Sequence, residues 1–184
     1  KGCTSLESIV IPESVESIGW WSFNGCTSLE SIVIPGSVQS IGDGAFQGCT
    51  SLKSIMIPSS VQSIGSYAFY DCTSLKDIMI PESLESIGLG AFYDCTNLEL
   101  IVIPGNVQSI GDGALRGCTR LNLIVLPDAL VENRLGYRIT DDQTVISYSK
   151  FIRDWKYGNG LGNKSYSDQA VLFLYQLQNI KNFN

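Results

Sequence analysis

The side chains best suited to chemistry in this chain are six cysteines, which recur at a constant step of 23 residues. They are Cys3, Cys26, Cys49, Cys72, Cys95 and Cys118. Thiols can bind zinc, form disulfides or act as nucleophiles. Zinc is not expected, because structural zinc sites use close pairs such as C-x-x-C, and the chain has no such pair and no histidine. The lack of histidine also removes the commonest general base, so no catalytic site, cofactor or metal is predicted.

The constant step shows that the cysteines belong to an internal repeat. The segment LESIVIP, which begins at Leu29, recurs with few changes at Leu6, Leu52, Leu75, Leu98 and Leu121. Every copy but the last is followed by a second apolar group of the form V-x-x-I-G, with Leu84 in place of valine in one coil, and in most coils by an Ala-Phe pair. A fixed period of this length is typical of a solenoid, because one coil cannot bury its apolar face alone and stacked coils share a continuous core.

The alternation within each copy predicts how a coil is built. Ile32 and Ile34 flank Val33, so a short strand turns both isoleucines inward, and Pro35 ends the strand because it has no N–H to donate. Successive strands are expected to lie about 4.8 Å apart in a parallel sheet. Stacked cysteines would then be close enough for disulfides, but their parallel Cβ directions favour a ladder of buried free thiols.

The unit C-x-x-L-x-x-I-x-I-P-x-x-V-x-x-I-G-x-x-A-F-x-x resembles the BspA-like, or Treponema-type, subclass of leucine-rich repeats. The resemblance covers about residues 1 to 130, where the period, the proline, the Ile-Gly and the Ala-Phe all agree. It implies a right-handed α/β leucine-rich-repeat solenoid of about six coils with a parallel β-sheet. Members of the subclass are typically surface or secreted proteins of bacteria and some protozoa, so the resemblance also implies adhesion or protein binding.

The repeat ends after Pro127, which predicts two segments: a solenoid over residues 1–131 and a C-terminal helical cap over residues 132–184. Apolar residues at helical spacing predict helices from about Asp141 to Lys156 and from about Asp168 to Ile180. We interpret this α-helical hairpin as a cap on the open end of the solenoid. A small effector domain with its own partner is the alternative.

One outward column of the sheet is apolar along the chain and predicts a partner surface. It contains Val33, Met56, Met79 and Val102, with Val10 and Val125 at its ends. A contiguous apolar stripe often marks a binding site, although strand propensity alone would also explain it. In the adjacent outward column, leucine replaces serine at Leu100 and Leu123. We therefore expect the C-terminal segment to cover that end of the face, with a ligand pocket there as the alternative.

Aromatic residues on the outer loops are further candidates for partner contacts. Trp20 and Trp21 replace the small or polar residues of other coils, and Tyr67, Tyr70 and Tyr93 lie in the same loops. Tryptophan and tyrosine are enriched at binding hot spots. The alternative for the tryptophans is packing against an upstream turn, since the chain opens in the middle of a repeat and reads as a fragment of a longer array.

Composition and charge exclude several classes of protein. The chain is 44% hydrophobic and 16% charged, and it has no apolar run long enough to cross a bilayer. Its net charge of −6 disfavours nucleic-acid binding, which needs clustered lysine and arginine. Residues 1–132 carry 14 acidic and 5 basic side chains, and residues 133–184 carry 4 and 7. The two segments are therefore expected to attract one another, or the basic segment to bind an acidic partner.

These observations together predict a non-enzymatic protein-interaction or adhesion module, part of a larger surface or secreted protein. The expected ligand is a protein, such as a host or matrix protein, without nucleic acid, membrane insertion or a cofactor. One alternative is a secreted effector whose C-terminal segment carries the activity. The other is a structural stalk whose binding site lies upstream. The oligomeric state is left open.

Overall fold

The computed structural model describes residues 2–121, 123–129 and 144–147, all within one compact unit, Lys1–Ser149. The unit is a parallel β-solenoid, as the repeat predicts, but it has about five turns where about six coils were expected. The first strand of each coil lies in the LESIVIP segment. These strands are β1 (Ser8–Val10), β3 (Ser31–Val33), β5 (Ser54–Met56), β7 (Asp77–Met79), β9 (Leu100–Val102) and β11 (Leu123–Leu126).

Strands of the first kind pair in parallel, with a register of one repeat, as β1 with β3, β5 with β7 and β9 with β11, and we call the face that they form together the first sheet. Ile9 lies opposite Ile32 and Ile55 opposite Ile78, so identical residue types stack on one another. The strand β3 also lies beside β5, and β7 lies beside β9. A two-residue strand follows in each coil and forms a second, five-stranded sheet. Its members are β2 (Ser17–Ile18), β4 (Ser40–Ile41), β6 (Ser63–Ile64), β8 (Ser86–Ile87) and β10 (Ser109–Ile110).

The C-x-x-L and P-x-x-V segments of the repeat form turns. Each turn is closed by a backbone hydrogen bond between its first and last residues, which are three apart. In C-x-x-L, the N–H of Leu29 donates to the carbonyl of Cys26 at 3.0 Å. In P-x-x-V, the N–H of Val38 donates to the carbonyl of Pro35 at 3.1 Å. Proline suits this place because the strand ends there and its carbonyl still accepts.

The third side of each coil consists of consecutive turns and not of a strand. It covers residues 19–25, 42–48, 65–71, 88–94 and 111–117, and we call it the bend. The coils are still joined there by backbone hydrogen bonds, such as the one from the N–H of Phe46 to the carbonyl of Ala68 at 2.7 Å. This side carries the most variable side chains of the solenoid.

The core consists of ladders of one residue type running through the stack. Phe46, Phe69 and Phe92 are fully buried. The rings of Phe46 and Phe69 are stacked with centroids 5.2 Å apart, and those of Phe69 and Phe92 lie 5.4 Å apart. Leucine, isoleucine, valine and alanine columns fill the remaining interior. Each coil therefore depends on its neighbours for most of its buried apolar contacts.

At residues 144–147 the structure differs from the helix predicted over Asp141 to Lys156. Those residues form β12 (Thr144–Ser147), which pairs in parallel with β11 and places Ile124 opposite Val145. The helix prediction is wrong there because the edge of β11 offers unpaired backbone groups, and Thr-Val-Ile has high strand propensity. The rest of the predicted helical hairpin and the boundary between residues 131 and 132 lie outside the described residues.

Candidate interaction surfaces

The apolar stripe on the first sheet is exposed along its N-terminal half. Val10, Val33 and Met56 are 75%, 62% and 64% exposed, while the isoleucines beside them in the same strands point inward. Parallel pairing in register sets Val10 beside Val33 and Met56 beside Met79. Met79 is half-buried. The stripe is therefore a row of side chains on neighbouring strands, with paired strands setting the spacing of Val10 to Val33 and of Met56 to Met79.

The stripe ends before the last coils, which corrects the exposure predicted for Val102. Val102 is only 4% exposed and Val125 is fully buried. Leucine replaces serine in the neighbouring outward column, and Leu123 is buried as well, so this end of the face is covered. Val102 is thus not available to a partner. The segment expected to cover it, residues 132–184, lies outside the described residues apart from β12.

A mixed-charge column borders the stripe, one residue before each strand. Lys53 and Glu30 form an ion pair at 2.9 Å, and both side chains are more than half exposed. An exposed pair of this kind contributes about 0–1 kcal/mol to stability. The pair therefore makes the surface near the stripe polar and contributes little to the stability of the fold.

On the bend, two predicted contact residues pack on the coil that follows them. Trp20 and Trp21 are 73% and 61% exposed. Their rings lie against Gly42 and Gly44, where a Cβ would collide with them. Tyr67 repeats the arrangement two coils later, since its Cε1 lies 2.6 Å from the position a Cβ would take on Gly90. Each of these rings is accommodated because the next coil has glycine.

Tyr70 and Tyr93, which were also predicted as contact residues, belong to a ladder of aromatic rings. Tyr70 packs against Tyr67 edge to face at 6.1 Å and stacks on Tyr93 at 5.4 Å. The guanidinium of Arg116 lies 5.8 Å from the ring centre of Tyr93, a cation–π distance. Tyr67 was a candidate from its residue type, whereas Arg116 was not predicted. Alignment of the column formed by residues 24, 47, 70, 93 and 116 would have revealed it.

The bend also holds all four non-glycine residues with positive φ among the residues described. They are Trp21, Tyr67, Asp71 and Asp94, with φ between 52° and 58°. Other coils have glycine at the equivalent places, including Gly44, Gly48, Gly90 and Gly117. The left-handed conformation costs an L-residue about 1–2 kcal/mol relative to glycine, although aspartate tolerates it better than an aromatic residue.

A shallow cleft of about 520 Å³ lies on the side of the second sheet. It is lined by polar residues that include Gln62, Glu85 and Gln108. Its serines are engaged in holding the coils together: the hydroxyl of Ser83 donates to the carbonyl of Val61 at 2.8 Å. No group of three metal-ligating side chains occurs in the part of the chain that the structure describes. The lining of the cleft is therefore polar.

The cysteines form the buried ladder that their spacing predicts. Cys26, Cys49, Cys72, Cys95 and Cys118 are buried, and Cys3 is exposed. The Sγ of Cys95 donates to the carbonyl of Phe69 at 3.2 Å, and Cys118 makes the same bond to Phe92. Burial and, to a smaller extent, the neighbouring Cys26 together raise the pKa of Cys49 to about 12. Such thiols are poor nucleophiles because the thiolate is suppressed.

No helix within the described residues is long and apolar enough to cross a bilayer.

Comparison with known proteins agrees with this architecture. The family profile described as "BspA type Leucine rich repeat region" matches residues 1–122 in six copies. Among solved structures, the T. pallidum leucine rich repeat protein is 37% identical with a TM-score of 0.64, over 66% of this chain and 59% of that one. The pneumococcal vaccine antigen PcpA is 23% identical with a TM-score of 0.52, over 66% and 39%. This second likeness concerns the fold alone.

The chain spans about 59% of the T. pallidum protein and 39% of PcpA. No match is found among curated proteins.

Proposed function

This chain belongs to the BspA-type leucine-rich repeat family, and we propose that it is a protein-interaction module that binds a protein ligand through the exposed stripe of the first sheet. The coils provide a rigid support, because their backbones are hydrogen-bonded in register along the stack. The ligand would lie across several coils at once, as the stripe does.

The observation that carries the proposal is the exposure of Val10, Val33 and Met56, at 62–75%. These large apolar side chains lie side by side and are exposed to water. A partner that covers them gains about 25 cal/mol for each Å² of apolar surface removed from water. Met56 and Met79 are flexible and polarizable, which suits contact with a partner of imperfect shape complementarity. The neighbouring Glu30–Lys53 pair supplies a polar rim of the kind found around interface cores.

We propose in addition that this binding serves adhesion. The chain is then displayed on a cell surface or secreted, and its ligand is a host or matrix protein. This proposal rests on the family resemblance and on the stripe, since an adhesive surface must be open to solvent. The related proteins are leucine-rich repeat proteins, a fold that serves as a binding scaffold. The alternative of an effector activity in residues 132–184 concerns a segment outside the described residues, except for β12.

The test compares the parent chain with a Val33→Lys, Met56→Lys double variant. A matched control, Gln39→Lys with Gln62→Lys, adds the same two charges to the same two coils on the opposite side, where both glutamines are exposed. Binding to immobilised matrix proteins and host-cell surface proteins is measured for all three. Their thermal unfolding is compared in parallel.

We expect the parent and the control to bind one protein alike and the stripe variant to bind it at least about tenfold more weakly, a loss of about 1.4 kcal/mol. If the stripe variant binds as tightly as the parent, the stripe is not the binding site. Unfolding of the stripe variant would contradict the surface position of Val33 and Met56. Binding of none of the proteins by the parent would favour a structural stalk.

A further inference from the structure

The bend combines backbone strain with exposed aromatic rings in a way that packing does not require. Trp21 and Tyr67 adopt positive φ where Gly44, Gly90 and Gly113 adopt it in the other coils. Glycine would meet the same backbone geometry without strain. Side chains retained in strained conformations often serve a binding site.

The rings are also pre-positioned. Trp21 occupies the space above Gly44, and Tyr67 occupies the space above Gly90, so each ring is held between its own coil and the next. Aromatic and glycine residues alternate down this column from Trp21 to Gly90 because a ring excludes a Cβ in the following coil. Trp21 remains 61% exposed and Tyr67 41% exposed. A partner would therefore meet aromatic surface that needs little further ordering.

Acidic groups share the bend with these rings. Asp43 accepts the N–H of Trp21 at its backbone carbonyl (3.0 Å) and the N–H of Ser66 at its Oδ1 (2.7 Å). The exposed Asp43 therefore lies in the coil between those of Trp21 and Tyr67, and its carboxylate is bonded to the residue before Tyr67. Across the five coils the bend contains four aspartates and one arginine; the aspartates are Asp43, Asp71, Asp94 and Asp112.

Arg116, the one cation of the bend, shows that an aromatic ring of this surface can hold a positively charged side chain. Arg116 lies over the ring of Tyr93, at the C-terminal end of the ladder that runs through Tyr70 to Tyr67. At the other end, Tyr67 and the two tryptophans are exposed and have no such cation on them among the described contacts. Aromatic faces beside carboxylates attract guanidinium and ammonium groups.

We propose that the bend is a second interaction surface, which binds an arginine- or lysine-rich segment of a basic polypeptide. Its cationic side chains pack on Trp21 and Tyr67, and the carboxylates of Asp43 and Asp71 neutralise them. The net charge of −9 over residues 1–132 (5 basic minus 14 acidic side chains) raises the local concentration of such a partner. The inference deepens the proposed function by naming a class of partner, and it rests on that function only for the premise that the chain binds proteins.

The probe is a synthetic peptide in which arginine alternates with glycine, titrated into the full chain while tryptophan fluorescence is followed. The matched control peptide carries citrulline, a neutral isostere, in place of arginine. We expect the arginine peptide to bind at least about tenfold more tightly than the citrulline peptide, and its affinity to fall as salt is raised. Equal binding of the two peptides, or equally tight binding of a neutral oligosaccharide, would overturn the assignment to cations.

Two variants place the site on the bend. Trp21→Gly with Tyr67→Gly removes the rings and relieves the strain, so binding falls about tenfold while thermal stability is kept or raised. Asp43→Asn with Asp71→Asn removes two charges but keeps an acceptor for Ser66 and a residue that tolerates positive φ, so binding falls in a folded protein. Unchanged binding of the arginine peptide in the aspartate variant would refute the proposal.

The stripe variant Val33→Lys, Met56→Lys separates this inference from the proposed function. It should bind the arginine peptide as the parent does, since its changes lie on the first sheet. Loss of peptide binding there would show that the peptide uses the stripe, and the bend would no longer be a separate surface. Loss of peptide binding in the bend variants, with stripe-dependent protein binding intact, supports both proposals.

Discussion

The thiol of Cys72 donates a hydrogen bond to the backbone carbonyl of Phe46, 26 residues earlier, at 3.2 Å. Cys49 makes the equivalent bond to Phe23. Each of the four buried cysteines from Cys49 to Cys118 therefore supplies a weak donor to a carbonyl of the preceding coil, at a corner where no strand provides one. This bond gives a physical reason for cysteine in the column in place of alanine, which has no side-chain donor.

Replacement of Cys72 by alanine should lower the free energy of unfolding by about 1–3 kcal/mol, because it leaves the Phe46 carbonyl without the Sγ donor and opens a small void. Cys3→Ala is the matched control, since Cys3 is exposed, and should change stability by less than about 0.5 kcal/mol. Urea unfolding followed by circular dichroism measures both. Equal stabilities would show that the thiol ladder adds nothing to the stack.

The raised thiol pKa values predict that stability falls at alkaline pH. Cys49 keeps its proton to about pH 12 when folded, whereas its ordinary pKa is 9.0, and burial moves the pKa of Cys72 and Cys95 in the same direction. Between pH 9 and 12 the unfolded chain therefore binds fewer protons than the folded one. The free energy of unfolding then decreases as pH rises, by up to about 1.4 kcal/mol per pH unit for each such thiol.

Unfolding by urea at a series of pH values from 8 to about 11 measures this slope. The Cys49→Ala variant should show a shallower slope than the parent, since one of the titrating groups is gone. A slope that is identical in the two proteins would mean that other groups, and not the buried thiols, cause the alkaline loss.

Glycine is required where the coils touch by their backbones. At Gly65 a Cβ would stand 2.6 Å from the backbone nitrogen of Asp43 and from the carbonyl carbon of Gly42. We expect Gly65→Ala to push two coils apart and to cost about 1–3 kcal/mol or more in unfolding free energy. Gly36→Ala is the control, because nothing lies within 4 Å of its Cβ position, and should be neutral or slightly stabilising. Thermal melts that rank the two variants in the opposite order would contradict this close approach.

The phenylalanine ladder should be the most sensitive part of the core. Phe69→Ala removes a fully buried ring that stacks on Phe46 and Phe92, and should cost about 3–5 kcal/mol. Phe69→Leu should cost less, about 1–2 kcal/mol, because Leu115 already takes the equivalent place in the last full coil. Chemical denaturation compares the two. A similar loss in both would show that ring stacking, more than filled volume, stabilises the column.

Most of the coil could be predicted from the residues. The inward isoleucines, the proline after the strand and the buried thiols each follow from a pattern that repeats at 23 residues. The aromatic bend could be predicted only in part. Tyr70 and Tyr93 were candidates from residue type, but the packing of Trp21 on Gly44 and of Tyr67 on Gly90 depends on which residue the next coil offers. This packing joins a ring to the glycine 23 residues later, so it cannot be predicted from either residue alone.

The prediction failed where the repeat ends. Thr144–Ser147 has apolar residues that fit a helical face, and the residues around it were therefore assigned to a helix. In the structure these residues pair with β11, because a strand edge with free backbone groups outweighs a weak local preference. Local propensity could not reveal this, since the decisive partner lies about 20 residues earlier in the chain.

The sequence by itself determined the architecture of the coil and the stacking of like residues, because every inner coil has copies of itself as neighbours and so meets the same environment. Only the tertiary structure decided which outward residues remain open. Val33 and Val102 occupy the same column of the repeat, yet one is 62% exposed and the other 4%. The physical reason is that exposure depends on what lies across from a residue, and the 23-residue period specifies only what lies beside it in the stack.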